Sequence, residues 1–409
     1  MRKTIIPSAF AVLLAIAGAS RADDGPALDV PPTAEPLRVS LAAPAEAAKD
    51  AAGSALRLVE VDGGGSAPIP ASLVDDRGPD GLPIAGRKRL TATIPPAERP
   101  RRFRLETTDA PAASSFRIAD IDDRSLGIWE GDKPVLVYNH GVINREGVPA
   151  GWARSGYVHP LYGLDGEVLT DDFPRDHYHH RGLFWAWPHV LIDGKEYDLW
   201  ALRGIRHQFE RWLDREAGEA SATLGVESGW YVGDRRVMIE RVWIDVHPAA
   251  GDARAIDLAL TLTPDGHPVT LGGAEGKSYG GLNLRYAPGP DRKITTPLGD
   301  GPDDLLMTRL PWADLSERFA GDRTSGAALF VTPDHPDFPP TWLTRHYGVL
   351  CVGWPGVTPK TLEPSRPTTL RYRVWIHRGP ADADGLARVA KALAVGQNLD
   401  WAPRGADRP

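Results

Sequence analysis

Three histidines lie within four positions in the segment DDFPRDHYHHRGLFWAW, which runs from Asp171 to Trp187. They are His177, His179 and His180. Imidazole titrates near neutral pH, so a cluster of this kind can give or take protons during a reaction. Three imidazoles this close would repel one another if all were protonated, which argues against a purely structural role. We therefore predict a functional site here, with His179 and His180 as catalytic residues.

Histidine is also a common ligand of transition metals. His177 and His179 are two residues apart and would share one face of a strand, with Asp176 or His159 available as a further ligand. The HExxH spacing of a helical zinc site is absent. Proton transfer without a metal and chemistry assisted by a divalent metal therefore both remain open.

The surroundings of the cluster contain the residue types that bind a polar ligand. The predicted substrate-binding residues in this region are Tyr157, His159, Asp172, Asp176, Arg181, Trp185 and Trp187. Carboxylates and guanidinium groups can bond hydroxyls or orient the imidazoles. Flat tryptophan rings can wall a pocket and stack on the C–H faces of a sugar.

A glycine-rich segment further along, GGAEGKSYGGLNLR, occupies residues 272–285. Its glycines allow the backbone to approach a ligand closely, and it lacks the spacing of a phosphate-binding loop. We predict Glu275 as a general base, with Lys277 and Arg285 holding an anion or a developing oxyanion.

The segment WLTRHYG, residues 342–348, places an arginine and a histidine together between apolar runs. We predict Arg345 as a substrate-binding residue and His346 as a second catalytic acid or base.

The composition of the 409-residue chain is that of a folded globular protein. Charged residues make up 25% and apolar residues 42%. The net charge is −7 and there is no basic block, which excludes nucleic acid and anionic membrane surfaces as expected partners.

The amino terminus is predicted to be a targeting segment. Arg2 and Lys3 precede a short apolar stretch and small residues, a pattern typical of a secretory signal peptide over residues 1–22. No later segment is apolar over 18 or more residues, so no membrane span is expected once this peptide is removed. The expected location is periplasmic or extracellular.

The remainder of the chain divides into four predicted parts. Residues 23–35 are acidic and rich in proline and alanine, typical of a flexible tether. Short alternating runs over 36–110 predict a small accessory β-sandwich domain. Residues 115–380 predict an all-β domain, and 381–409 a C-terminal helix and tail.

Three segments of the large domain alternate with period two over seven or more residues: 237–246, 255–262 and 370–376. Such alternation predicts antiparallel strands with one wet face. Because no amphipathic helix separates them, a large antiparallel β-sandwich or barrel is favoured over a βαβ fold.

The run SGYVHPLYGLDGEVLTDDFPRDHYHHRGLFWAW resembles the signature region of the so-called PmoA family, a family of exported bacterial proteins. YGGLNLRYAP, PWADLS, HPDFPPTWLTRHYG and LRYRVWIHRG resemble later motifs of that family, so the resemblance covers about residues 115–380. It implies a β-sandwich related to the galactose mutarotase supersandwich. By likeness of role, His179 or His180 would be the acid and Glu275 the base.

These observations favour an exported enzyme that performs acid/base chemistry on a sugar or glycoside, by hydrolysis, elimination or epimerisation. A carbohydrate-binding protein without catalytic activity is the first alternative. A metal-dependent oxidoreductase, which the family label suggests, is the second.

Overall fold

A computed structural model describes residues 26–45, 54–61, 66–111, 114–301, 303–319 and 321–402. The predicted signal peptide lies outside the described residues. The amino-terminal strands are β1 (Ala27–Val30), β2 (Leu37–Ala42), β3 (Ser54–Glu60), β4 (Ile69–Arg77), β5 (Pro83–Ile94) and β6 (Arg101–Pro111), and β29 (Trp401–Ala402) joins them from the end of the chain. They form one seven-stranded sheet in the order β2-β5-β4-β3-β6-β1-β29, instead of the two sheets of a sandwich.

The predicted tether over 23–35 is wrong for residues 27–30, which form β1. This strand pairs with β6 on one side and with β29 on the other. Leu28 and Val30 are buried in the core of the amino-terminal sheet. The acidic and proline-rich composition around it concealed a four-residue strand whose alternate side chains are apolar.

The described residues from 116 onward include two nine-stranded sheets. The short-strand sheet consists of β7 (Phe116–Asp120), β8 (Ser125–Glu130), β9 (Lys133–Asn139), β10 (Tyr157–Leu161), β11 (Leu183–Ala186), β19 (Gly281–Arg285), β22 (Leu306–Arg309), β25 (Thr341–Arg345) and β26 (Val349–Gly353). Its order is β22-β25-β26-β19-β11-β10-β9-β8-β7.

The long-strand sheet consists of β14 (Arg206–Ala217), β15 (Ala222–Val232), β16 (Arg235–Val246), β17 (Ala253–Pro264), β20 (Lys293–Thr296), β21 (Gly299–Asp300), β23 (Trp312–Phe319), β24 (Arg323–Val331) and β28 (Thr368–Arg378). Its order is β14-β15-β16-β17-β28-β24-β23-β20-β21. A four-stranded sheet, β13-β12-β18-β27, is formed by β12 (His189–Ile192), β13 (Lys195–Tyr197), β18 (Val269–Gly272) and β27 (Lys360–Leu362).

Apolar side chains from the short-strand and long-strand sheets form one continuous core, as in a β-sandwich. The predicted all-β, antiparallel fold class is confirmed, and β16, β17 and β28 contain the three alternating segments. The finer likeness to the galactose mutarotase supersandwich stays a prediction.

The prediction of one wet face on these strands is wrong, because the amino-terminal sheet covers the polar face of the long-strand sheet. The Arg77 guanidinium donates to both carboxylate oxygens of Asp245 on β16, at 2.8 and 2.7 Å. The indole N–H of Trp243 donates to the carbonyl of Gly81 at 2.8 Å. Alternation showed which face is polar and carried no information about what covers it.

The carboxyl-terminal helix α1 (Ala383–Asn398) contacts both the amino-terminal sheet and the long-strand sheet. It begins at Asp382, whose side chain accepts a hydrogen bond from the Gly385 amide, a typical N-cap. Leu386 packs with the outer face of the long-strand sheet, and Ala392 joins the core of the amino-terminal sheet. Within the described residues, no helix is long and apolar enough to cross a membrane.

Candidate active site

The three clustered histidines lie on a closed loop between β10 and β11, which we call the histidine loop (residues 173–180). An antiparallel bridge between Asp172 and Arg181 closes its base. The next residue, Gly182, accepts a hydrogen bond from the Arg285 amide at the end of β19, at 2.7 Å. Backbone hydrogen bonds therefore fix the base of the loop, both between its own two ends and with β19, which lies about 100 residues further along the chain.

Gly182 is required by the close approach of β10. A Cβ atom at this position would lie 2.1 Å from the carbonyl oxygen of Val158, nearer than any real contact. Above this point the loop makes two successive turns, in which His177 N–H donates to the Pro174 carbonyl and His180 N–H donates to the His177 carbonyl. These turns bring the three imidazoles to the same side.

The imidazole rings contact one another directly. His177 is stacked between His180, with ring centroids 4.7 Å apart, and Tyr347, with centroids 5.3 Å apart. His179 meets His180 edge to face at 4.6 Å. The cluster is thus a packed set of rings in which His180 is innermost, with only 4% of its surface exposed.

Trp200 covers the inner side of the cluster. Its ring is perpendicular to that of His180 at a centroid distance of 5.7 Å, and Phe184 of β11 lies next to both. The buried Arg154 donates to the backbone carbonyls of Leu199 and Trp200. Arg154 therefore positions the tryptophan that shields the inner imidazole.

Trp152 covers the outer side of the histidine cluster. It ends the short 3-10 helix Ala150–Trp152, and its ring centroid is 5.7 Å from that of His179. Arg181 donates to the Trp152 carbonyl and lies 3.5 Å from Asp172, while its guanidinium stacks on Phe173. The Arg181 side chain is fully buried. It therefore positions the loop and Trp152 and does not face a ligand, contrary to its predicted role as a substrate-binding residue.

Tyr157 and His159 also hold the histidine loop in place. The Tyr157 hydroxyl is fully buried and donates to Asp172 at 3.2 Å, and burial raises the pKa of this carboxyl. Nδ1 of His159 lies 3.0 Å from Oγ1 of Thr170. Burial, assisted by nearby arginines, lowers the pKa of His159 to about 4. These predicted binding residues therefore hold the loop in place.

The polar edge of the cluster is formed by Asp176 and Arg285. Nη2 of Arg285 donates to Oδ1 of Asp176 at 3.1 Å, and the guanidinium lies 5.0 Å from the ring centroid of Tyr347. Nδ1 of His177 is 2.9 Å from Oδ2 of Asp176, a close contact that is poorly aligned for a hydrogen bond. Burial raises the pKa of Asp176, but the contacts with His177 and Arg285 outweigh burial and lower it overall.

The two other histidines are held neutral at physiological pH. Burial, together with the charges of His177 and the nearby arginines, lowers the pKa of His179 to about 4. Burial, together with the neighbouring His179 and His177 and nearby arginines, lowers the pKa of His180 further. Burial raises the pKa of Tyr347, so its phenol stays protonated. The site therefore contains neutral imidazoles next to a carboxylate-paired imidazole.

Only part of this cluster is open to solvent. His179 and Trp152 are half-buried, the His177 side chain is 35% exposed, and Tyr347 is 40% exposed. Half-buried Tyr279 continues this surface, with its ring 4.6 Å from that of Trp200. A ligand that reaches the histidines would therefore meet aromatic rings on several sides.

Trp185 and Trp187, predicted to wall the pocket, are fully buried in the main core. Trp187 donates to the Trp354 carbonyl at 2.6 Å. Trp185 lies on β11 and Trp187 follows directly after it, in a segment that is buried on both faces. They stabilise the sheet beneath the loop and present no surface to a sugar.

Glu275 and Lys277 are both exposed on the turn that follows β18. Among the described residues, neither makes a hydrogen bond or ion pair with the histidines. The same turn instead contributes Tyr279, which packs on Trp200. The structure does not bring Glu275 into the cluster as a base.

His346 and Arg345 lie beside the cluster without joining it. Nδ1 of His346 is 2.8 Å from Oδ1 of Asp304, and Nε of Arg345 is 3.8 Å from the same carboxylate. Their neighbour Tyr347 makes the contact with His177. The segment thus contributes to the site through a residue that the sequence did not single out.

The predicted metal ligands His177 and His179 do not form a ligand set with a third group. Over the described ranges, no three His, Cys, Asp or Glu side chains have an arrangement that would hold a metal ion. The ring centroids of His177 and His179 are 5.5 Å apart and the rings are nearly perpendicular, while His177 is stacked on His180. Ring stacking, not shared coordination, organises the cluster.

Sequence reasoning missed Trp152, Arg154, Trp200, Tyr279 and Tyr347. They come from four separate loops, and none belongs to a motif with a spacing that predicts chemistry. The one available signal was adjacency, since Tyr279 follows Lys277 closely and Tyr347 follows His346 directly.

Residues 126–391 match the family described as "Family of unknown function (DUF6807)", and this span is more than half of the 409 residues. The chain therefore belongs to that family. The match does not carry the PmoA label that the motifs suggested, although its span overlaps most of 115–380. No curated protein matches the chain.

Two solved structures are similar to the chain at a low level. One is a heparinase III gene product, with 12% identity and a TM-score of 0.32, covering 68% of this chain and 38% of that one. The other is an alpha-mannosidase from Enterococcus faecalis V583, with 9% identity and a TM-score of 0.38, covering 94% of this chain and 46% of that one. The chain thus spans less than half the length of either structure.

Proposed function

We propose that this member of the DUF6807 family is an enzyme that performs acid/base chemistry on a sugar or glycoside. The observation that carries the proposal is the accessible edge of the histidine cluster. There, neutral His179 lies beside Trp152, and His177 pairs with Asp176 while stacking on Tyr347. Clustered proton-transfer groups with partly exposed aromatic rings fit the chemistry of a carbohydrate site.

The two accessible imidazoles have opposite electrostatic surroundings, which assigns their roles. His179 is neutral at physiological pH and has no carboxylate partner among the described residues, so it is the general base. His177, whose Nδ1 lies 2.9 Å from the Asp176 carboxylate, is the general acid. The base role thus moves from Glu275 to His179.

Two further groups favour a polyhydroxylated ligand. The Asp176 carboxylate, held by Arg285 and 47% exposed, can accept from a ligand hydroxyl. The protonated phenol of Tyr347 supplies a donor at the exposed edge. Trp152 and Tyr279 add half-buried apolar rings next to His179 and Trp200. Export by the predicted signal peptide agrees with an extracellular or periplasmic glycan as substrate.

The test is a turnover screen of the full chain against glycosides and polysaccharides. New reducing ends report hydrolysis, unsaturated products report elimination, and NMR of the sugar ring reports epimerisation. For any active substrate, His179→Ala is expected to lower kcat by about 10²–10⁴-fold while the dissociation constant, measured by calorimetry, changes little. The matched control is His189→Ala, since His189 is exposed on β12 outside the cluster.

The pH dependence gives an independent check. A general base must be deprotonated, so kcat/KM should rise as pH passes about 4 and should not follow an ordinary histidine near 6.5. Saccharide binding without any product, equal in wild type and His179→Ala, would overturn the enzyme proposal in favour of a carbohydrate-binding protein.

A further inference from the structure

A cavity of about 470 Å³ lies between the amino-terminal sheet, the end of α1 and the outer face of the long-strand sheet. The outer face is the one turned away from the core that the two nine-stranded sheets share. None of the described residues that line the cavity belongs to the histidine loop. Its volume falls within the range of small-molecule sites, about 300–1,000 Å³.

The middle of the cavity floor is Ala259 of β17. In the register of the sheet, its neighbours are Trp243 of β16 on one side and Arg371 of β28 on the other. The Trp243 ring lies over Gly225 of β15, where a Cβ would be 2.6 Å from Cζ3 of the indole. Arg371 donates to Asp334, in the loop that follows β24, at 2.9 Å. Both neighbouring side chains are therefore held elsewhere and leave space above the Ala259 methyl group.

The exposed fractions show that this space is open. β17 is an interior strand of the long-strand sheet, and the amino-terminal sheet covers its outer face, yet Ala259 and Asp257 are both half-buried. The Asp257 side chain is 33% exposed, and that of Asp245, directly opposite on β16, is 23% exposed. All three residues line the cavity, so their accessible surface faces it. A ligand in the cavity can therefore reach both carboxylates.

Two aspartates directly opposite each other on neighbouring strands would repel. Arginines offset this repulsion, since Arg77 donates to both oxygens of Asp245 and Arg373 donates to both oxygens of Asp257. These ion pairs fix the two carboxylates in place. Each carboxylate keeps spare acceptor capacity, because within the described residues Oδ2 of Asp245 accepts only from Arg77 and Oδ1 of Asp257 only from Arg373.

The charges on the cavity wall nearly balance. Among the described residues, the charged side chains of the wall are Arg38, Arg77, Arg89, Arg371, Arg373, Asp76, Asp245, Asp257 and Asp334. Such a wall favours neither an anion nor a cation. A hydroxyl group can accept from an arginine and donate to a carboxylate at the same time, so a neutral ligand with several hydroxyls fits this wall. Arg371, whose side chain is 47% exposed, is an accessible donor.

We infer that the cavity between the amino-terminal sheet and the long-strand sheet binds a neutral saccharide of one or two rings. The sugar lies over Ala259 and donates hydroxyl hydrogens to Asp245 and Asp257. Because Arg77 of β4 holds Asp245, the site is complete only when the amino-terminal sheet covers the long-strand sheet. This second saccharide site goes beyond the proposed activity of the histidine loop and does not depend on it.

The test introduces a thiol into the cavity floor of the full chain by Ala259→Cys. Cys351 is the only native cysteine and is fully buried, so a small thiol reagent reports access to position 259. Mass spectrometry measures the labelling rate while methyl glucoside, methyl galactoside or methyl mannoside is titrated. At least one of them is expected to slow labelling. At ten times its dissociation constant, about one site in eleven is empty and the rate falls about tenfold.

The matched control is Ala249→Cys, since Ala249 is exposed on the turn after β16 and does not line this cavity. Its labelling should not respond to saccharide. Glucuronate, an anion, and glucosamine, a cation, test the charge argument and should protect position 259 less than the best neutral glycoside.

A second substitution tests the carboxylates. Asp257→Asn, combined with Ala259→Cys, should weaken protection by at least about tenfold, because a ligand hydroxyl then bonds a neutral amide instead of a charged group. Asp291→Asn is the counterpart outside the cavity, where it removes an ion pair with Arg318, and should leave protection unchanged.

Three results would overturn the inference. Absence of labelling at position 259 would mean that the cavity is closed to small molecules. Labelling that none of the three neutral glycosides slows would exclude a neutral saccharide as the ligand, as would stronger protection by either charged sugar. Equal protection with and without Asp257→Asn would show that the carboxylate does not recognise the sugar.

Discussion

Buried histidines occur in two different settings in this protein. Three histidines in the long-strand sheet or directly after one of its strands each have a carboxylate partner: His207 with Glu240 at 3.1 Å, His247 with Asp257 at 2.9 Å, and His377 with Asp314 at 3.0 Å. In the histidine loop, the partners of His179 and His180 are aromatic rings.

The difference shows in the proton affinity of the rings. Burial alone lowers the pKa of His377, but the charge of Asp314 outweighs burial and raises it. For His180, burial acts without such an opposing charge, and the pKa falls. A buried histidine that pairs with a carboxylate in the sheet thus belongs to the framework, whereas the half-buried ring of His179, which has no such partner among the described residues, stays available for chemistry. Residue type alone does not separate the two settings.

The largest expected effect on the free energy of unfolding comes from removing the carboxylate that pairs with His377. Asp314→Ala leaves His377 buried without its counter-charge and should lower the free energy of unfolding by about 3–5 kcal/mol in denaturant titration. Because the folded pKa of His377 is raised, the stabilisation is fully present below pH 6.5 and is lost as pH rises through the folded value. The loss should therefore be greater at pH 6 than at pH 9.

The control for this variant is Asp322→Ala, which removes an ion pair with Arg318 on an exposed turn. It should cost less than about 1 kcal/mol at either pH. Equal losses in the two variants, or a loss from Asp314→Ala independent of pH, would remove the distinction between framework and loop histidines.

Substitution of His180, which has no carboxylate partner, is expected to have an intermediate effect on the free energy of unfolding, of opposite sign. The folded pKa of His180 lies below 6.5, so its unfolded form binds a proton first and stability falls as pH decreases below 6.5. His180→Phe removes this penalty. The variant should gain about 2 kcal/mol relative to wild type between pH 7 and pH 5, from 1.5 pH units at about 1.36 kcal/mol each.

Urea titrations of both proteins at the two pH values measure this gain. His189→Phe is the control, since that side chain is 43% exposed. A constant difference between wild type and His180→Phe at both pH values would show that His180 is as readily protonated as a surface histidine.

The long strands were predictable because their period-two pattern extends over many residues. β16, β17 and β28 each contain the segment that the alternation indicated. By contrast, β1 has four residues in a proline-rich context, too few for a pattern to emerge. What covers a polar face depends on contacts between domains, which no local pattern contains.

In the site, the sequence singled out the histidine cluster and Arg285, and the structure places them together, since Arg285 contacts Asp176 from 109 positions away. The predicted role of Arg285 in holding an anion stays a prediction. It failed for Trp185 and Trp187, because an aromatic residue near a cluster looks the same whether it packs below the sheet or faces a ligand. Trp152 and Trp200 come from loops whose positions follow from the buried Arg154 and Arg181. Contacts between residues this far apart in the chain do not produce a recognisable motif in the sequence.

The smallest expected change in stability tests whether the outer rings belong to the framework or to the site. Tyr347 is 40% exposed, so Tyr347→Ala should cost only about 1 kcal/mol, the size of one aromatic contact. The fully buried Tyr286, whose hydroxyl donates to the Ser325 carbonyl at 2.8 Å, is the framework counterpart, and Tyr286→Ala should cost about 3–5 kcal/mol.

Removal of Tyr347 also uncovers one face of His177, while Trp200 and Phe184 still shield His180. Chemical modification of imidazoles, followed by mass spectrometry, should therefore become faster at His177 in Tyr347→Ala and stay unchanged at His180. Faster modification of both rings would mean that Tyr347 holds the whole loop closed. In that case the boundary between framework and site would lie outside the histidine cluster, and Tyr347 would belong with Arg154 and Arg181 as a residue that positions it.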